Sequence, residues 1–194
     1  MQKWYSSLER RGNQTQELFR ENTFGEYKVR KATNEDAEAV IQLLQDAARW
    51  LEGKGISQWE YLRNGGETAE IKQGILVGTT YIVERKKELA ATLNLSDVQN
   101  EWDMELWGKC QEHSFYIHRL AVAQAFRKQQ IGRKLLDWID QNIRLEKGRI
   151  RLDCVADNPA LNKFYQQAGY TLMDVVANGE DMFSLYEKLI TSKP

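Results

Sequence analysis

Four cations, Arg127, Lys128, Arg133 and Lys134, crowd the short stretch AQAFRKQQIGRK. Before it, Phe115 to Val122 is a mostly apolar run with β-branched and aromatic members, and it reads as a buried strand. After it, Ile131, Leu135, Leu136, Ile139 and Ile143 recur at helical spacing and give one apolar face. The cations therefore stand at the positive end of a helix dipole, where each costs roughly 0.3–1 kcal/mol if exposed. No Ser, Thr, Asp or Asn is placed to cap that helix. The nearest candidates are Gln129 and Gln130, so the first N–H groups lack an obvious acceptor. An anion bound at the turn would satisfy those groups and neutralise the cations. A solvated basic loop after a core strand is the other reading.

Further along, Asn158-Pro159 opens a short helix, since Asn is a favoured cap and Pro a favoured first residue. Leu161, Phe164, Tyr165 and Ala168 form its inner face and Gly169 ends it. His118, on the strand before the basic turn, is either a general base or a structural histidine. Asp153, on the strand Arg149 to Val155, either orients an amine or pairs with an arginine, and nothing marks the neighbouring Cys154 as a lowered-pKa nucleophile. Asp97 to Glu105 reads as an acidic loop holding Asp97, Glu101, Asp103, Glu105 and Trp102. Carboxylates attract a cationic amine and a tryptophan face can hold an ammonium. This stretch is a candidate acceptor lip, with Trp50 and Trp59 on the opposite wall, or else a solvated acidic face.

The elements that must position these residues follow in order. Tyr27 to Ala32 reads as a strand, and Thr33 caps a helix whose inner face is Val40, Leu43, Leu44, Ala47, Ala48 and Leu51, with Gly53 and Gly55 as its stop. Ile56 to Leu62 is expected to be irregular and Glu67 to Val77 helical. Thr79 to Glu84 and Leu89 to Leu95 form two strands, and Tyr170 to Val176 and Met182 to Leu189 two more around Asn178-Gly179. This order is α/β with a mixed sheet. Residues 1–24 are expected to be a helical extension and 25–194 one domain.

The 194 residues carry a formal net charge of −1, with 42% hydrophobic and 28% charged, an ordinary globular composition that argues against a general nucleic-acid or anionic-membrane binder. No apolar run reaches membrane-spanning length and the start reads as no signal peptide. Two distant cysteines suit free thiols in a reducing cytoplasm, and two histidines are too few for a typical histidine-rich metal site, so no metal is expected.

Two of these stretches resemble motifs of the GNAT superfamily of N-acyltransferases. Arg127-Lys128-Gln129-Gln130-Ile131-Gly132 is similar to the acyl-CoA pyrophosphate motif R-x-x-G-x-G/A, with Gln130 in place of the first glycine. Asn158 to Tyr170, NPALNKFYQQAGY, resembles N-x-x-A-x-x-x-Y-x-x-x-G-F/Y, with Leu161 in place of the small alanine. The element order is also that of the GNAT fold, whose mixed, mostly antiparallel sheet is flanked by helices on both faces.

The resemblance implies acetyl-CoA as co-substrate. Leu120, Ala121 and Val122 would hold the pantetheine arm by backbone pairing, and the amides from Arg127 through Lys128, Gln129, Gln130, Ile131 and Gly132 to Arg133 would hold the pyrophosphate. Asn158 would bond the pantetheine region, and Tyr165 would protonate the leaving thiolate, which suits a hydroxyl that is neutral at pH 7. The alternatives for these two are a helix cap and a core aromatic. Trp50, Trp59, Trp102 and Asp103 are the candidate acceptor residues. The expected activity is acetyl transfer to a small-molecule primary amine by direct attack in the cytoplasm, with no nucleic acid and no membrane as partner and a homodimer left open. A non-catalytic acyl-CoA sensor and a protein acetyltransferase are the rival readings.

Overall fold

A computed structural model describes residues 18–191 except Ser57 and Glu146. The first part of the expected N-terminal extension, residues 1–17, lies outside the described residues. The strands are β1 (Thr23–Phe24), β2 (Tyr27–Lys31), β3 (Thr80–Arg85), β4 (Glu88–Ser96), β5 (Ser114–Val122), β6 (Lys147–Val155), β7 (Thr171–Asn178) and β8 (Asp181–Thr191). The helices are α1 (Ala37–Glu52), α2 (Glu60–Arg63), α3 (Thr68–Leu76), α4 (Glu101–Trp107), α5 (Ile131–Asn142) and α6 (Pro159–Gln167). The strands form one sheet in the order β1-β2-β3-β4-β5-β6-β8-β7. Every neighbouring pair is antiparallel except β5 and β6, which are parallel and joined by the crossover through α5.

Alternation along the strands sorts the core into two layers. On β3, Ile82 joins Val40, Leu44 and Ala48 of α1 and Ile71 and Ile75 of α3 on one face. Tyr81 and Val83 face the other way and join Ile131, Leu135, Leu136 and Ile139 of α5. Helices thus cover both faces. No helix among the described residues is long and apolar enough to cross a membrane.

Three stretches differ from the sequence reading. Asp97 to Glu105, expected as a loop, contains the start of α4. Asn100 accepts the Asp103 N–H at 2.8 Å while Asp103 accepts the Asn100 N–H at 3.0 Å, a reciprocal cap that also places acids at the positive helix end. Ile56 to Leu62, expected to be irregular, ends in the short α2, whose Leu62 is 1% exposed and anchors it to α1. Leu18 to Phe24, expected in a helical extension, instead contributes β1, and Phe19 is buried against Tyr81 and Trp138.

Candidate active site

β5 and β6 are in register only from Ser114 to Tyr116 against Arg149 to Arg151, yet β5 runs on to Val122 and β6 to Val155. Beyond that point the two strands part, and a cleft of ≈ 2140 Å³ opens between them. Ile117 to Val122 line one side, while Asp153, Val155, Asn158, Leu161 and Tyr165 line the other. The other edge of β5 is distorted too. Thr92 pairs with Ala121 and Asn94 with His118, so Arg119 and Leu120 together oppose Leu93, a β-bulge with Arg119 at φ 51°. Arg119 is held there by Glu67, which its Nε reaches at 2.6 Å.

At one end of the cleft lies the basic turn. Lys128 (φ 65°) and Gln130 (φ 59°) are both left-handed, and α5 starts after Gln130 with no side-chain cap. Gln129 is engaged elsewhere, accepting from the Tyr27 hydroxyl at 3.1 Å and donating to the Ala125 carbonyl at 3.3 Å. The amides at the start of α5 therefore have no side-chain cap, in a concave turn of the kind that binds phosphate. Arg127 lies over the Trp50 ring at 4.2 Å, and burial pulls its guanidinium pKa down. Arg133 is paired with Asp137 at 3.0 Å and also donates to the Gln167 carbonyl. Gly132 faces Phe164 and Val122, and a Cβ there would sit 3.5 Å and 3.7 Å from them, in ordinary contact. These residues line the cleft; the Gln129 side chain does not.

Midway along, Asn158 is 4% exposed and caps α6 by accepting the Leu161 N–H at 3.1 Å. Tyr165 is 7% exposed, its ring packed on Phe164, Tyr170 and Tyr186, and burial holds its phenol well above the ordinary range. A hydroxyl so reluctant to ionise is a hydrogen-bond donor at neutral pH. Burial likewise pushes the Cys154 thiol up to about 12, which removes it as a nucleophile.

The rest of the lining is acidic: Glu60, Glu67, Glu70, Asp153, Glu180 and Asp181, with Lys54 and the Glu67-bound Arg119 as cations. Trp59, left-handed at φ 69°, and Trp102 are its aromatic walls. Trp102 stands edge-on to Phe183 with centroids 4.9 Å apart, and its Nε1 donates to Asp153 Oδ1 at 3.2 Å. Burial raises the Asp153 pKa, against the opposing pull of His118 and the Trp102 bond. Asp103 does not line the cleft. It is 1% exposed and lies behind His118, 3.1 Å from its Nε2. Glu101 is exposed, Glu105 accepts from Asn178 at 3.0 Å on the surface and Trp107 covers Arg151 at 4.8 Å, so of the expected lip only Asn100 and Trp102 reach the cleft.

A family model described as "Acetyltransferase (GNAT) domain" matches residues 77–172. An "Uncharacterized N-acetyltransferase YesJ" of Bacillus subtilis is 42% identical over 164 residues, covering 84% of this chain and 89% of its own. The chain belongs to the GNAT N-acetyltransferases. A GNAT-family acetyltransferase structure from Listeria monocytogenes superposes with a TM-score of 0.69 at 28% identity, covering 84% of this chain and 94% of that one. A Thermoplasma acidophilum structure named PaiA N-acetyltransferase and solved with coenzyme A shares the fold at a TM-score of 0.60 and 18% identity, covering 84% and 98% of the two chains.

In this GNAT acetyltransferase one cleft gathers ten of the eleven residues singled out for the cofactor, together with Tyr165, Trp50, Trp59 and Trp102. Gln129 and Asp103 are set back from it. Sequence reasoning missed the Arg119–Glu67 pair at the bulge and the contact of His118 with Asp103. A signal for the second existed. Asn100-x-x-Asp103 has the spacing of a capping box, which turns Asp103 inward. Of the six non-glycine residues with positive φ among the described residues, Lys86 and Lys87 make the β3–β4 turn; the other four, Trp59, Arg119, Lys128 and Gln130, all line the cleft. Strain of this kind gathers at functional sites.

Proposed function

We propose that this chain moves the acetyl group of acetyl-CoA to a primary amine of a small cationic molecule, by direct attack with both substrates bound. The polarity of the cleft carries the reading. Uncapped helix N–H groups and cations at the basic turn suit a pyrophosphate, and the carboxylates and tryptophans of the remaining lining, Asp153 bonded to Trp102 among them, suit an ammonium. Between them, the free edge of β5 from Ile117 to Val122 offers backbone groups to an amide-bearing arm, like an added strand. The bulge at Arg119 breaks the ladder where a backbone N–H would meet a developing oxyanion. Tyr165, held neutral by burial, would hydrogen-bond the departing sulfur and relay to it a proton from the new N–H⁺, without net ionisation. Coenzyme A in the Thermoplasma relative is in keeping with the same donor.

Thiol release from acetyl-CoA over a panel of amines tests the proposal. Turnover on small amines carrying a second positive charge, with kcat/KM falling as salt rises, is expected. Tight acetyl-CoA binding with no turnover on any amine favours the sensor, and turnover on peptides alone favours protein acetylation.

A further inference from the structure

His118 is the one histidine in the cleft, and its surroundings are built rather than incidental. Its side chain is 14% exposed, with Nε2 3.1 Å and 3.3 Å from the two oxygens of Asp103. Asp103 cannot swing away, because Oδ2 accepts the N–H of Asn100, the cap of α4, and its own N–H donates to the Asn100 side chain. A buried carboxylate beside one ring nitrogen keeps the proton there, so neutral His118 carries hydrogen on Nε2 and a lone pair on Nδ1. Asp153 lines the same cleft, where the Trp102 Nε1 bond keeps it in place and the His118 charge opposes the effect of its burial. One short helix, α4, thus fixes both carboxylates, Asp103 from behind the histidine and Asp153 through Trp102.

We propose that His118 is the base that takes the proton of the bound ammonium, that Asp103 is its positioning residue, and that Asp153 is the counter-ion that anchors the ammonium. This rests on the amine-transfer reading above. Nδ1 of neutral His118 accepts one proton from R–NH3⁺ and becomes imidazolium, paired with Asp103. The freed amine attacks the thioester carbonyl and a C–N bond forms. The C–S bond then breaks, and the sulfur takes the hydroxyl proton of Tyr165, which the new N–H⁺ restores. The imidazolium returns its proton to water. Asp103 from α4 is in contact with His118 and Asp153 from β6 feels its charge, while Tyr165 from α6, Arg119 from the same strand and its partner Glu67 line the same cleft.

Two measurements test this. The first is the pH profile of kcat/KM for wild type, His118→Gln, Asp103→Asn and Asp153→Asn, with an amine the wild type acetylates. His118→Gln should lower kcat by about 10²–10⁴-fold and abolish the acidic limb, with acetyl-CoA affinity unchanged. Asp103→Asn should lower kcat as well, by freeing the ring from its fixed orientation, again with acetyl-CoA affinity unchanged. Asp153→Asn should mainly raise the amine KM. A wild-type profile in His118→Gln, or loss of the limb in Asp153→Asn alone, overturns the assignment while leaving the transfer reading intact. The second is nitrogen-15 NMR of the imidazoles in the enzyme without substrate, where His113 is the only other histidine and serves as control. His118 should show the Nε2–H tautomer, and that preference should be lost in Asp103→Asn, with His113 unmoved. An Nδ1–H tautomer overturns the inference by itself, whereas failure of the wild type on every amine overturns the transfer reading.

Discussion

Gln130→Gly should stabilise the protein, against the usual cost of placing glycine next to a helix. Gln130 sits at φ 59° and ψ 24°, is exposed, and its side chain caps nothing. Left-handed backbone costs a residue with a Cβ about 1–2 kcal/mol. Glycine's freer unfolded chain takes back about 0.4–1 kcal/mol. The balance of about 0.5–1 kcal/mol predicts a Tm rise of about 1–4 °C for a chain of this size. Thermal unfolding without ligand, followed by circular dichroism, measures it. Lys128→Gly, at φ 65°, should behave alike, while Gln130→Ala keeps the Cβ and should gain nothing. A fall in Tm for Gln130→Gly, or an equal rise for Gln130→Ala, would refute the strain argument. Acetyl-CoA affinity should hold or improve, because the turn already has the shape that the family's glycine permits.

Gly132→Asp should leave the unliganded Tm nearly unchanged, since its Cβ meets Phe164 and Val122 only at ordinary contact, but should weaken acetyl-CoA binding severely in calorimetry by setting a negative charge at the turn. Tyr165→Phe should lower kcat by about 10²-fold at nearly constant acetyl-CoA KM, whereas an intact rate with a lower Tm would make Tyr165 a core aromatic only. The Arg30 hydrogen bonds beside Asp36 lower its pKa from 3.8 to about 2, so the pair stabilises the fold above pH 4 and that contribution is lost as pH falls through 2. Asp36→Asn should flatten stability against pH in that window, as read from denaturant midpoints; an unchanged slope would remove Asp36 from the account.

Much of the site was legible because it depends on local signals. β5 and α5 fall within a residue of their expected bounds, since apolar periodicity and an uncapped basic start are properties of a dozen neighbouring residues. Asn158 and Pro159 announce α6 for the same reason. What was not legible depends on neighbours distant in the chain. The acids of Asp97 to Glu105 look like a solvated loop until Asn100 and Asp103 bond each other and Leu106 is buried. The partner of His118 lies on a helix before its own strand, and nothing in either segment alone says that they meet. The strained φ of Arg119 arises from pairing with β4, which no local pattern encodes.

The parting of β5 and β6 has a consequence for the lifetime of the protein. If the acyl donor lies along the open edge of β5, the sheet is incomplete until the donor arrives, and the folding equilibrium is tied to the supply of that donor. At a hundredfold excess over Kd, ligand binding adds about 2.7 kcal/mol, or roughly 5–11 °C in Tm. Amides from Ile117 to Val122 should then exchange hydrogen more slowly when acetyl-CoA saturates, and unchanged exchange there would mean that the strand edge is not what the ligand covers. In a starved cell the same chain would open more often and meet proteases sooner, so that its abundance would follow the acyl-donor pool with no dedicated regulator.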